Sequence, residues 1–135
     1  MFDTKVAIVV RNDLAAWQRL NVVAFLSTGL ASAAPDMLGA PYVDAAGRPY
    51  ASMSAQPILV FEADLPGIQG AHRTALDRGI TIVPFIQAMF ATGHDEANRD
   101  VFRAEDVDNM NWAGIAVRGP KKAVDKTVKG LKLHP

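Results

Sequence analysis

The side chains best suited to chemistry gather in one stretch, where Thr92 and Gly93 are followed by His94, Asp95 and Glu96. An imidazole beside carboxylates is the material of general acid–base catalysis or of a metal centre. A metal needs ligands that converge, and neighbours in sequence seldom do. No His-x-x-x-His or His-Glu-x-x-His spacing is present, so no metal is expected. The other two histidines fit quieter roles: His72 lies on an apolar stripe, and His134 stands next to the end, where it is expected to be mobile. Nucleophilic catalysis finds little support. There is no cysteine and no Gly-x-Ser-x-Gly elbow, and Ser27, Ser32, Ser52 and Ser54 have no basic neighbour in sequence. Phosphate loops of the Walker or Gly-x-Gly-x-x-Gly kind are absent, so no cofactor is implied. One basic feature remains. Gly119-Pro120 opens a helix with free backbone amides beside Lys121 and Lys122, and Lys122, Lys126 and Lys129 share a face. Such a row could contact a phosphate backbone, although no interleaved aromatics accompany it for base stacking.

The elements that must position these residues belong to one domain spanning 1–135. Half the residues are hydrophobic and 21% are charged, a balance that supports a packed core. Formal net charge is zero, which excludes steering of the whole molecule towards nucleic acid. Charge is nonetheless uneven, acidic from Asp95 to Asp108 and basic from Arg118 onward. The N-terminus leads straight into a strand-like run with no secretion signal, so a cytoplasmic address is expected. The longest apolar stretch, Asn21 to Ala34, is interrupted by Ser27, Thr28 and Ser32. It falls short of the ~20 residues of a spanning helix, so no membrane partner is expected.

Lys5 to Val10 is a continuous β-branched run without polar alternation, the pattern of a strand covered on both faces. A helix is predicted from about Ala15 to Ala34, with Leu20, Val23, Ala24, Ser27, Leu30 and Ala31 on one face. Val22, Phe25, Leu26 and Gly29 make much of the opposite face apolar too. Tyr42 to Ala51 reads as a surface hairpin around Gly47. Strands are predicted at Pro57–Glu62, Ile80–Ile86 and Trp112–Val117, and Pro84 marks its strand as an edge or a strand end. Asp64, Pro66 and Gly79 bracket a second helix, and a last one runs to about Lys129. Alternation of this kind implies a three-layer α/β/α sandwich on a mostly parallel sheet.

Several segments carry a family resemblance. Val9-Val10-Arg11-Asn12-Asp13-Leu14 closes the first strand, Ile86-Gln87 ends another, and Arg118-Gly119-Pro120, Val124-Asp125-Lys126 and Gly130-Leu131-Lys132-Leu133 close the chain. Together they resemble peptidyl-tRNA hydrolase II. The resemblance implies an α/β/α sandwich on a four-stranded mixed sheet, often dimeric. The run Met89 to Glu96 and the Gly-Leu-Lys-Leu-His-Pro end look like a bacterial offshoot of unknown function. In those hydrolases a lysine, a glutamine and a histidine project from the first helix, and the corresponding positions here are Asn21, Phe25 and Thr28. Sliding by one residue would put Leu20 in the lysine position, with Arg19 the nearest base. The family's aspartate corresponds to Ala88 and its threonine to Thr92. One position of the five therefore matches.

Asn21, Phe25 and Thr28 at i, i+4 and i+7 share a helix face. With Gln87, Thr92, His94 and Asp95 they form the candidate pocket. Three functions follow in order. The first is a small-molecule-binding protein or an enzyme with altered chemistry. The second is a non-catalytic homodimeric module that uses the spare apolar face of the first helix. The third is a divergent hydrolase acting on tRNA through Arg19 or His94.

Overall fold

The computed structural model describes residues 2–135. In chain order it forms β1 (Thr4–Arg11), α1 (Ala16–Ala33), a surface hairpin of β2 (Tyr42–Val43) and β3 (Pro49–Tyr50), β4 (Ile58–Ala63) and α2 (Leu65–Arg78). These are followed by β5 (Thr81–Ile86), α3 (Asp95–Arg103), β6 (Trp112–Pro120), α4 (Lys121–Thr127) and β7 (Lys132–Leu133). Short 3-10 turns cover Pro35–Met37 and Gln87–Ala91.

β1 lies at the centre, and its apolar run explains why. Val6 through Val10 are wholly buried. Side chains alternate across a strand, so Val6, Ile8 and Val10 pack with Val22, Leu26 and Leu30 of α1 on one face. Ala7 and Val9 pack with Ile68, Ala71 and Ala75 of α2 and Val124 of α4 on the other. Helices thus cover both sides of the sheet, as the pattern demanded.

Strand order is β5-β6-β1-β4-β7. β1 and β4 are parallel, with Val6 opposite Ile58 and Val10 opposite Glu62. β6 runs antiparallel to both β1 and β5, and β7 antiparallel to β4. The sheet is mixed, as the family resemblance implied and not mostly parallel as the alternation of elements suggested, and it has five strands rather than four. β7 escapes sequence reading because it is two exposed residues with no apolar run, held only by pairing with Phe61 and Glu62. Strand direction escapes because a strand buried on both faces carries the same apolar run whichever way it points. Pro84 sits on the edge strand β5, where a missing N–H is tolerated.

The helix boundaries rest on local chemistry. Asp64 accepts a hydrogen bond from the Gly67 amide at 2.8 Å and starts α2, with Pro66 in its first turn. Gly79 ends that helix at φ 63°, a left-handed cap suited to glycine. On α1 the stripe built from Leu20 and Ala24 is not the buried one. Leu20 is 74% exposed, and Val22 and Leu26 of the other face enter the core, joined by Leu30 alone of the first face's fully buried positions. Both stripes are apolar, and close contact decides between them. A Cβ on Gly29 would lie 2.3 Å from Val83 Cγ1, and one on Gly114 would lie 2.7 Å from Val22 Cγ1 and 2.9 Å from the Val9 carbonyl. α1 therefore lies directly on β5 and β6 because two glycines let it. The last helix ends at Thr127, so Lys129 lies beyond it. Among the described residues no helix is long and apolar enough to cross a membrane.

Two stability predictions follow from this packing. Gly114→Ala should destabilise the fold by about 1–3 kcal/mol through overpacking. Gly70→Ala, where the new methyl meets only an Arg73 nitrogen at 3.7 Å, should stabilise it by about 0.5–1 kcal/mol. Urea unfolding compares the two, and a neutral Gly114→Ala would refute the seating of α1. His72 provides a second check. Its ring packs on buried Trp112 at 4.7 Å, and burial, with Arg73 beside it, holds the imidazole below its ordinary pKa. The unfolded chain then takes up the proton more readily than the fold. Stability contributed by neutral His72 is fully present above pH ~6.5 and declines as pH falls below it. Urea titrations on either side of that pH should show this slope flattened in His72→Gln.

Candidate functional site, a cleft between the first helix and the segment after the edge strand

β5 delivers the chain into the turn Gln87–Ala91, which carries Met89 and Phe90 back towards α1. α1 presents Trp17, Asn21 and Phe25 one turn apart to meet them. These three, with Phe85, Phe90, Thr92 and His94, line a cavity of about 330 Å³. A second cavity of about 480 Å³ continues past Phe25 and Thr28 to Val83, Arg99 and Phe102. The two share Phe25, Phe85, Met89, Asp95 and Asn98, so they form one cleft along α1.

Aromatic rings dominate its wall. Trp17 meets Phe90 edge-on at 5.9 Å, Phe90 lies 5.1 Å from Phe85, and Phe85 meets Phe25 at 6.1 Å. These separations are those of favourable quadrupole contacts. The polar groups are mostly engaged in local structure. Thr92 donates its hydroxyl to the Met89 carbonyl at 2.9 Å and pairs with the Asn98 side chain. His94 Nδ1 accepts the Ala97 amide at 3.2 Å and so caps α3. Asp95 is paired with Arg99 at 2.7 Å, and the Thr28 hydroxyl donates to the Phe25 carbonyl at 2.6 Å.

Six of the seven sequence candidates, Asn21, Phe25, Thr28, Thr92, His94 and Asp95, thus line this cleft. Gln87 does not. Its backbone N–H donates to the Asn111 carbonyl at 2.8 Å, and its side-chain carbonyl is buried without a hydrogen-bond partner among the described residues. Trp17, Phe85, Met89, Phe90 and Asn98 were missed by sequence reasoning. Trp17 lies four residues before Asn21, and extending the Asn21–Phe25–Thr28 face by one turn finds it. The rings from β5 and the following turn carry no such signal, since only tertiary packing brings them to α1.

The other candidates lie elsewhere. Lys121, Lys122, Lys126 and Lys129 are all exposed. Asp125 stands among them and pairs with Lys5 at 2.6 Å. The Arg11-Asn12-Asp13 motif is a brace. Arg11 pairs with Asp13 at 2.7 Å, donates to Asn111 Oδ1 at 2.5 Å and to the Trp112 carbonyl at 3.2 Å, and its hydrogen bond holds the Asp13 carboxyl below its ordinary pKa. Arg19 donates to the Leu14 carbonyl at 2.9 Å and faces His134. His134 is not a loose end, because its amide donates to the Val60 carbonyl at 2.9 Å. Among the described residues no three His, Asp or Glu side chains gather to hold a metal.

A mixed α/β sheet carrying four helices and a cleft walled by the first of them defines the class. Within it the chain belongs to the DUF2000 family, described as proteins of unknown function, which it matches over residues 4–135. It is similar at 47% identity to the solved structure of a protein of unknown function from Agrobacterium tumefaciens, with 100% of each chain covered and a TM-score of 0.97. No curated protein matches it.

Because His94 caps α3, His94→Ala should cost about 1 kcal/mol and His94→Asn, whose side-chain oxygen can cap, much less. Chemical denaturation distinguishes the two, and equal losses would refute the capping role.

Proposed function

We propose that this chain is a small-molecule-binding protein on a fold akin to peptidyl-tRNA hydrolase II, and that its cleft takes a planar, largely apolar ligand. The observation that carries this reading is the continuous series of rings Trp17, Phe90, Phe85 and Phe25 along a cleft edged by the Asn21 amide. Flat ligands gain most from such a wall, through stacking and burial together. Hydrolysis of a peptidyl-tRNA ester asks for a positioned base or a polarising cation. Asn21, Phe25, Thr28 and Ala88 supply neither. Arg19 lines a different groove from His94. An enzyme with altered chemistry would use the same wall, with His94 as its base.

The kinship in fold rests on the residue runs that resemble that family, among them Arg11-Asn12-Asp13 at the end of β1. A second reading, a homodimeric module, is favoured by Trp17, Leu20 and Phe25, which are 63%, 74% and 56% exposed along α1. Light scattering that finds a monomer at micromolar concentration removes it.

The cleft reading is tested with a panel of planar heteroaromatic compounds, followed by melting temperature and tryptophan emission. Trp112 is buried in the core, so a bound ring should quench Trp17. Compounds that raise the melting temperature should quench it, and Phe25→Ala should weaken them at least ~tenfold, a loss of about 1.4 kcal/mol. Shifts unchanged in both Phe25→Ala and Thr92→Ala would overturn the placement.

A further inference from the structure

On the other flank of α1 lies a separate groove of about 500 Å³. Its floor is Val10 and Val60 on the parallel pair β1 and β4, and its wall is Ala16, Leu20 and Val23 of α1. Arg19 and His134 complete its lining. The lining is apolar apart from these two, and the volume is in the range of ligand pockets, about 300–1,000 Å³.

Arg19 is unusual within this molecule. Arg11, Arg19 and Arg118 are the half-buried arginines. Arg11 is paired with Asp13 and Arg118 with Asp36, whereas Arg19 has no carboxylate within ion-pair distance among the described residues. Its hydrogen-bond partners are neutral. Nε donates to the Leu14 carbonyl at 2.9 Å, and Nη1 lies 3.4 Å from His134 Nε2. His134 is itself fixed, with its amide on the Val60 carbonyl and Nδ1 3.0 Å from an oxygen of the Pro135 carboxylate. A neutral ring protonated at Nδ1 donates there and leaves Nε2 to accept from Arg19. Two of the five guanidinium N–H donors are then used, and about three remain for a ligand. A partly desolvated cation with no carboxylate in direct contact, held beside an apolar trough, is complementary to an anion with a hydrocarbon body.

We propose that this groove binds an amphipathic carboxylate, a medium-chain alkanoate, with its chain along Val60, Leu20 and Val23 and its carboxylate on Arg19. This site is independent of the aromatic cleft and does not rest on that reading.

The full chain is titrated with decanoate and, separately, with decanol by calorimetry. Decanoate should saturate at one molecule per chain and bind at least ~tenfold more tightly than the alcohol, the margin a charge-assisted hydrogen bond supplies. Arg19→Gln should remove that margin and leave decanol binding unchanged, which also shows that the variant is folded. Arg19→Lys, which keeps the charge but not the planar fork, should retain part of it. Decanoate binding indifferent to Arg19→Gln, or no saturable binding, would overturn the proposal. So would a dimer that Leu20→Glu dissociates, since a second copy would then occupy the groove.

Discussion

Everything the cleft offers depends on how closely α1 sits on the edge of the sheet. At Gly29 and Gly114 the helix meets β5 and β6 with no room for another methyl group. That contact drives the Val22–Leu26–Leu30 stripe into the core. It also fixes the rotation of the helix, so the residues on its flanks are turned towards defined neighbours. Trp17, Asn21 and Phe25 face the turn after β5. Leu20 and Val23 face β4. A small rotation of α1 would exchange these partners, because the helix is apolar nearly all round and its own pattern does not choose a face.

Given that seat, the chemistry of the cleft follows from what its polar groups already do. His94 is spent on the first turn of α3, Asp95 on Arg99, and Thr92 on the turn that carries Met89 and Phe90. These bonds shape the wall. The rings are what remain open to a ligand. Arg19 presents the reverse case, a cation without a carboxylate in a groove otherwise apolar. The two flanks of one helix thus suit different chemistry.

Much of the fold was legible. The all-buried β1, the capped α2, the hairpin and the edge placement of Pro84 each rest on a local rule, such as alternation, an Asp cap or a missing N–H. The sheet's fifth strand was not legible, and its mixed direction came from the family resemblance and not from any local pattern. β7 is held by pairing alone, and strand direction leaves no mark on an apolar run. For the cleft, the i, i+4, i+7 spacing of Asn21, Phe25 and Thr28 was enough to identify one wall. The facing wall of Phe85, Met89 and Phe90 was not, since those side chains read as ordinary strand and loop apolars until the chain folds them onto α1. Gln87 was misplaced for a related reason. A strand-end residue can point to either side, and this one turns inward beside Asn111.

The central claim is that the cleft along α1 binds and does not hydrolyse. Its most direct test is release of N-blocked aminoacyl groups from tRNA by the purified protein, run beside an authentic hydrolase of peptidyl-tRNA. The account predicts no turnover above background even at high enzyme concentration. Turnover that persists with enzyme purity, falls with rising salt and is lost in His94→Ala would contradict it, and would make His94 a base rather than a cap.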